Sequence, residues 1–192
     1  MRDQPVYMLQ VIDSALVLGR AVDADLVQKA KSGDEAAFTD LLRPLVASAY
    51  RLAGAMLHDP QAAEDVVQEA SLKAWRKLRQ VRPGSAMKPW FLGIVANECR
   101  EVRRGRWWSV LKQPNPELPA TLQGDSPASF SDLRRAISRM KHRRRLLIVL
   151  HWYLDLPVAE VALITGSSED AVKSELSRAV GQLRHLLGDA EE

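Results

Sequence analysis

Residues Met87 to Arg104 read MKPWFLGIVANECREVRR, and the reading of this stretch decides the fold. Pro89 suits the first turn of a helix, where its missing N–H would have no intrahelical partner anyway. Wound at about 100° per residue, the stretch separates into two faces. Phe91, Leu92, Val95, Cys99 and Val102 fall on one side, and Trp90, Gly93, Asn97, Arg100 and Arg104 on the other. The first set is a core stripe. The second joins an aromatic ring, an amide and two guanidinium groups, the side chains that stack on an unpaired base, hydrogen-bond a base edge and grip phosphates. A merely solvated basic face has the same pattern, and this helix alone does not separate the two readings.

The chain around it has 192 residues, enough for one large or two small domains, with 46% hydrophobic, 27% charged and 6% aromatic residues. That profile predicts an all-α protein. The net charge of +3 favours a polyanionic partner, and its distribution says more. Asp59, Glu64, Asp65 and Glu69 come with no intervening base, then Lys73, Arg76, Lys77, Arg79, Arg82 and Lys88 with no intervening acid. Arg100, Arg103, Arg104 and Arg106 form a second basic block. A single cysteine, Cys99, excludes an internal disulfide and a Cys-based zinc site; its place on the apolar face makes it a core thiol. No export signal is evident, and no run approaches the roughly 20 apolar residues of a membrane span. A cytoplasmic protein with no membrane insertion is expected. His58, His142, His151 and His185 are scattered and belong to no HExxH, Walker or GxSxG motif. No catalytic residue, metal, cofactor or small-molecule substrate is therefore expected.

Taken in order, residues 1–22 form an extension to which the sequence assigns no work. Asp23 or Asp25 can cap a short helix that Ser32-Gly33-Asp34 ends, and a longer one is expected from Glu35 to Leu57, kinked or broken at Pro44. Asp59-Pro60 opens the next, Gln61 to Arg79. Its buried stripe is Ala63, Val67, Ala70, Ala74 and Leu78. Asp65, Glu69, Leu72 and Arg76 project on the other side with Gln68 at the edge, and a leucine exposed among acids fits a protein-binding face. A solvated face is again the plainer alternative. The loop Gln80–Ala86 leads into the opening stretch.

Residues 107–127 are proline-broken and polar, which predicts a linker between two separately folding halves; Trp107-Trp108 could anchor its start or cap the first core. Beyond it, Ser131 or Asp132 starts a helix to about Met140. His142 to Arg145 introduce a helix from Leu146 to Tyr153, with Leu147, Leu150 and Trp152 or Tyr153 in the core. A short helix from Val158 to Ile164, the turn Thr165-Gly166-Ser167 and a helix from Glu169 to about Leu187 make a helix-turn-helix. Ser167 with Asp170 approximates a capping box, and Val172, Leu176, Ala179, Leu183 and Leu187 form its apolar stripe.

Asp25-Leu26-Val27, Lys31-Ser32-Gly33-Asp34 with Ala37-Phe38, AEDVVQEASLKAW (Ala63–Trp75) and PWFLGIVANECREVRR, at these spacings, resemble domain 2 of the bacterial extracytoplasmic-function (ECF) sigma factors. The block Leu156 to Leu187 resembles domain 4 of the same family. The resemblance implies two small helical domains, 23–106 and 128–188, joined by the Pro-rich linker, the second a helix-turn-helix domain. It implies that Asp65, Gln68, Glu69 and Leu72 dock on the clamp helices of the RNA polymerase β′ subunit, with the β flap as a further contact. Lys88, Trp90, Asn97, Arg100, Arg103 and Arg104 would bind and open the −10 promoter element. Ser168, Asp170, Lys173, Ser174, Ser177 and Arg178 would lie at the −35 element. It further implies an anti-sigma factor as a partner. Two positions depart from the family pattern: Glu175 stands where a base is usual, and Val180 where another Arg is usual. A carboxylate repels phosphates but accepts a hydrogen bond from cytosine, so −35 contact is expected to be weaker or shifted in preference. An enzyme, a regulator using only its C-terminal helix-turn-helix and a protein-binding adaptor are the competing readings. None of them uses both the acidic face at Asp65/Glu69 and the basic aromatic helix.

Overall fold

The structure, a computed structural model, describes residues 24–82, 84–112 and 128–188. The expectations placed on residues 1–22, on the side chains of Trp107 and Trp108 and on residues 113–127 lie outside the described residues. Every regular element among the described residues is helical. α1 covers residues 24–31, α2 Glu35–Leu57, α3 Pro60–Lys77 with a tight turn at Leu78–Gln80, and α4 Met87–Lys112. α5 is Ala128–Arg139, α6 His142–Ile148, α7 Val158–Thr165 and α8 Glu169–Gly188. α4 runs on to Lys112, so the first six positions read as linker, 107–112, continue the helix.

The helix starts follow from local chemistry. The Asp34 side chain accepts from the Ala37 N–H at 3.0 Å, and Asp59 from the Ala62 N–H at 3.0 Å, each satisfying a donor left over at a helix N-terminus. Pro60 takes the first position of α3, where proline has no hydrogen bond to lose. Pro44 does not break α2. It lies on the exposed side, where water can satisfy the carbonyl it frees, while Leu41, Leu42, Ala49 and Leu52 hold both flanks in the core. Gly166 ends α7 at φ 62°, a backbone conformation glycine takes without steric cost.

α2, α3 and α4 pack as a three-helix unit in which Ala49, Ala53, Ala70 and Ala74, all fully buried, let the helices approach closely. Phe91, Leu92, Val95 and Cys99 fill its centre, as the opening stretch predicts, and burial pushes the Cys99 thiol up to about 12. A smaller cluster of Ala30, Ala37, Leu41, Leu78, Val81 and Met87 closes the end where α1 lies. In the second half, Met140, Ile148 and Ala179 join α5 and α6 to α8.

The two halves are not independent. One hydrophobic cluster runs from Leu52, Val67 and Phe91 through Leu147, Leu150, Val161 and Ile164 to Val172 and Leu176. α7 lies against α4, with the Ile164 backbone next to Gly93; Ile94 and Ala96, outside the predicted stripe, are also buried. Arg145, only 3% exposed, reaches from α6 to the Met56 carbonyl at the end of α2 (3.3 Å) while donating to the Ile137 carbonyl (3.0 Å) and to Ser138 O. Trp152 and Tyr153 differ from expectation: they are 52% and 50% exposed. A wide turn at Val149–Tyr153, in which the Leu154 N–H bonds Val149 O at 2.9 Å, shifts the register so that after Leu150, buried as expected, the next inward side chain is Leu154. The Arg51 guanidinium sits 4.8 Å over the Tyr153 ring and donates to its carbonyl, a further tie between the halves.

Candidate nucleic-acid interface

Three surfaces carry the residues singled out from the sequence. On α3, Asp65, Gln68 and Leu72 are exposed and Glu69 is half-buried, while Val66 joins the expected stripe beneath them. Leu72 is 52% exposed between these polar groups. The Lys73 ammonium lies 2.6 Å from Glu98 of α4 and 3.5 Å from Glu69, so this face is fixed against α4. The hydrogen bond to Glu98 raises the Lys73 pKa and keeps the bridge charged.

On α4 the structure divides the six predicted residues. Asn97, Arg100 and Arg104 are exposed, with Glu101 3.0 Å from Arg104 and 3.9 Å from Arg100. Lys88, Trp90 and Arg103 are half-buried and are not presented on the same open face. Lys88 lies 3.9 Å from Glu160 of α7, and Trp90 packs against two core clusters. Nη1 of Arg103 is buried with no hydrogen-bond partner. Near it is His142, whose pKa is lowered to about 4 by burial first and then by the charges of Arg103, Arg145 and Arg100. Burial and Arg103 also lower Arg145 to about 10.

On α8, Ser168, Asp170, Lys173, Ser174, Ser177 and Arg178 are all exposed on the side away from Val172, Leu176 and Ala179. The cap is Ser168, whose hydroxyl accepts from the Ala171 N–H at 3.2 Å; Ser167 instead receives Arg143 at 2.9 Å. The capping-box expectation was therefore one residue early, because the turn spends one more residue before the helix begins. Lys173 pairs with Asp170 at 3.6 Å. Glu175 is not a free carboxylate: it bonds Arg178 at 2.8 Å and lies 3.6 Å from Arg144 of α6. Val180 is half-buried. Sequence reading missed Arg143 and Arg144. In a run of three arginines, consecutive helical positions point in different directions, and only the fold sends one to Ser167, one to Glu175 and one into the core.

These surfaces define a helical chain with a basic helix in its first half and a helix-turn-helix in its second. The family model for Sigma-70 region 2 matches residues 38–109, and that for Sigma-70 region 4 matches residues 130–183. The chain is 30% identical over 169 residues to the ECF RNA polymerase sigma factor SigM of Mycobacterium tuberculosis (strain ATCC 25618 / H37Rv), spanning 86% of this chain and 85% of that protein. It is 29% identical over 136 residues to RNA polymerase sigma factor SigV of Bacillus subtilis (strain 168), spanning 70% of this chain and 81% of that protein. Among solved structures, CnrH in complex with the cytosolic domain of CnrY shares the fold at a TM-score of 0.68 and 24% identity, over 89% of this chain and 99% of that one. Sigma factor RpoE in complex with the anti-sigma factor NepR from Bartonella quintana gives a TM-score of 0.66 and 25% identity, over 79% of this chain and 96% of that one. The chain belongs to the ECF RNA polymerase sigma factors, transcription initiation factors that direct the polymerase to promoters. Among the described residues, no helix is long and apolar enough to cross a membrane.

Proposed function

We propose that the chain divides this work among its three exposed faces without any catalytic step of its own. The α3 face of Asp65, Gln68, Glu69 and Leu72 docks on the β′ clamp helices, acid against a basic partner with Leu72 as its apolar centre. The α4 face of Asn97, Arg100 and Arg104 holds the opened −10 strand, and Lys88, Trp90 and Arg103 complete that site. The α8 face from Ser168 to Arg178 enters the major groove at the −35 element, and the second domain also meets the β flap. The first domain runs from residue 23 to the end of α4 at Lys112 and the second covers residues 128–188, and an anti-sigma factor covering these faces in the cytoplasm would hold the chain inactive.

The observation that carries this reading is the placement of an acidic face on α3, a basic face on α4 and a polar face bearing Lys173 and Arg178 on α8, each opposite its own core stripe. Because α7 lies against the start of α4, where Lys88, Trp90 and Gly93 are found, full engagement of the −10 site requires α7 to move away. Purified core polymerase, this chain and a promoter pool test the reading: discrete transcripts should start only when the chain is added. Initiation that is random, or the same without it, would refute the reading.

A further inference from the structure

Glu175 projects from α8 one turn before Arg178, where a free carboxylate would repel a phosphate backbone. Its oxygens are both engaged. Oε1 accepts from Arg178 Nη1 at 2.8 Å, and Oε2 lies 3.6 Å from Nε of Arg144 on α6. Arg144 is itself anchored, donating through Nη1 to Gln182 Oε1 at 2.8 Å further along α8. The Glu175 side chain is 23% exposed against 64% for Arg178, so the acid sits beneath the arginine rather than beside it in open water. The hydrogen bond from Arg178, and then the charges of Arg178 and Arg144, lower the Glu175 pKa and keep it ionised. A lone exposed ion pair contributes little, but a carboxylate gripped from two helices is a network.

We propose that Glu175 is a positioning residue for promoter recognition: held by Arg144, it fixes Arg178 so that the free edge of the guanidinium meets a guanine in the major groove. The proposal rests on reading α8 as the −35 reader. With Nη1 committed to Glu175, Arg178 keeps Nε and Nη2, two parallel donors at the spacing that O6 and N7 of guanine accept. An arginine already fixed loses less side-chain freedom on contact than one swinging in water. Two arginines around one glutamate also leave a net positive charge, so the duplex is still attracted. The unusual acid thereby narrows sequence preference without abolishing DNA contact.

The test uses the full chain with core polymerase and a duplex promoter pool randomised across the −35 element, with the bound fraction sequenced. The parent should enrich guanine at one position, and Arg178→Ala should erase that enrichment. Glu175→Gln should lower it about tenfold, the loss expected when one good bidentate base contact is loosened. Its affinity for the unselected pool should hold or rise, because a negative charge near phosphate is gone. Arg144→Gln should fall between parent and Glu175→Gln. Loss of affinity for all sequences alike, with the guanine preference intact, would mean that Glu175 only stabilises the helix pair and would overturn the proposal. An unchanged preference in Glu175→Gln alongside its loss in Arg178→Ala would overturn it while sparing α8 as the reader. If Arg178→Ala also leaves the selected pool unchanged, both fail.

Discussion

Gly93 of α4 faces the backbone of Ile164 in α7 so closely that a Cβ on the glycine would lie 3.5 Å from the Ile164 carbonyl oxygen. That distance is ordinary van der Waals contact, so a methyl group fits and a larger side chain does not. Gly93→Ala should therefore stabilise the protein by about 0.5–1 kcal/mol through helix propensity alone. Gly93→Leu should push α7 off α4 while Phe91, Leu92 and Val95 keep the first core intact. Small-angle scattering should report a larger radius for Gly93→Leu only, with helical content preserved. An equally compact Gly93→Leu protein would contradict this packing.

Arg145 is the polar counterpart of that contact. Its partners are the carbonyls of Met56, Ile137 and Ser138, and a planar fork of donors is what lets one side chain serve all three. Arg145→Met keeps the bulk and orphans these carbonyls, which should cost about 2 kcal/mol or more. Arg145→Lys should recover only part. Urea unfolding of the three proteins decides it, and an unaffected Arg145→Met midpoint would count against the tie.

His142 makes the same junction sensitive to acid. Its folded pKa of about 4 lies below the unfolded value of about 6.5, so between these values the unfolded chain binds the extra proton. Stability should be complete above about pH 6.5, fall as the pH drops toward 4, and lose nothing more from this group below that. A proton there would join the charges of Arg103, Arg145 and Arg100. His142→Gln should flatten the dependence of the unfolding midpoint between pH 7 and about pH 5; an identical slope in the variant would place the sensitivity elsewhere.

Asp65 and Glu69 stand one turn apart on α3, with Leu72 beyond them. Reversing both acids to Lys should weaken binding to core polymerase at least about tenfold, since opposed charges at an interface are each worth about 1–3 kcal/mol. The fold should survive, because neither carboxylate is buried. Titration against labelled core enzyme, with circular dichroism as the folding control, measures this. Unaltered affinity would remove the face from the docking surface.

Most of the helices were legible because their signals are local: Ser32-Gly33-Asp34 and Thr165-Gly166-Ser167 as turns, Asp59-Pro60 as a helix start, and the spacing of Phe91, Val95 and Cys99. The meeting of the halves was not. The Ile164 backbone of α7 against Gly93, and the single cluster that joins Phe91 to Val161 and Val172, are contacts that no local signal encodes. Nor did spacing reveal that Lys88 and Arg103 turn toward that junction while Asn97 and Arg100 stay open. The wide turn at Val149–Tyr153 defeated a strict 3.6-residue count, which is why Trp152 or Tyr153 was expected in the core. Glu175 was legible as an oddity, whereas its capture by Arg144 depends on two helices crossing.

The central claim is that the outer face of α4 holds the opened promoter strand, and open-complex formation by holoenzyme carrying Asn97→Ala, Arg100→Ala or Arg104→Ala tests it most directly. All three positions are exposed, so the substitutions should cost stability only a few tenths of a kcal/mol, and polymerase binding should be unchanged. On a duplex promoter, Arg100→Ala and Arg104→Ala should slow opening on every sequence and lower the salt slope by about one for each phosphate no longer gripped. Asn97→Ala should relax base preference more than affinity, and a pre-melted bubble should recover part of the opening defect. Three variants that bind core enzyme and open the duplex promoter like the parent would show that this face is only solvated.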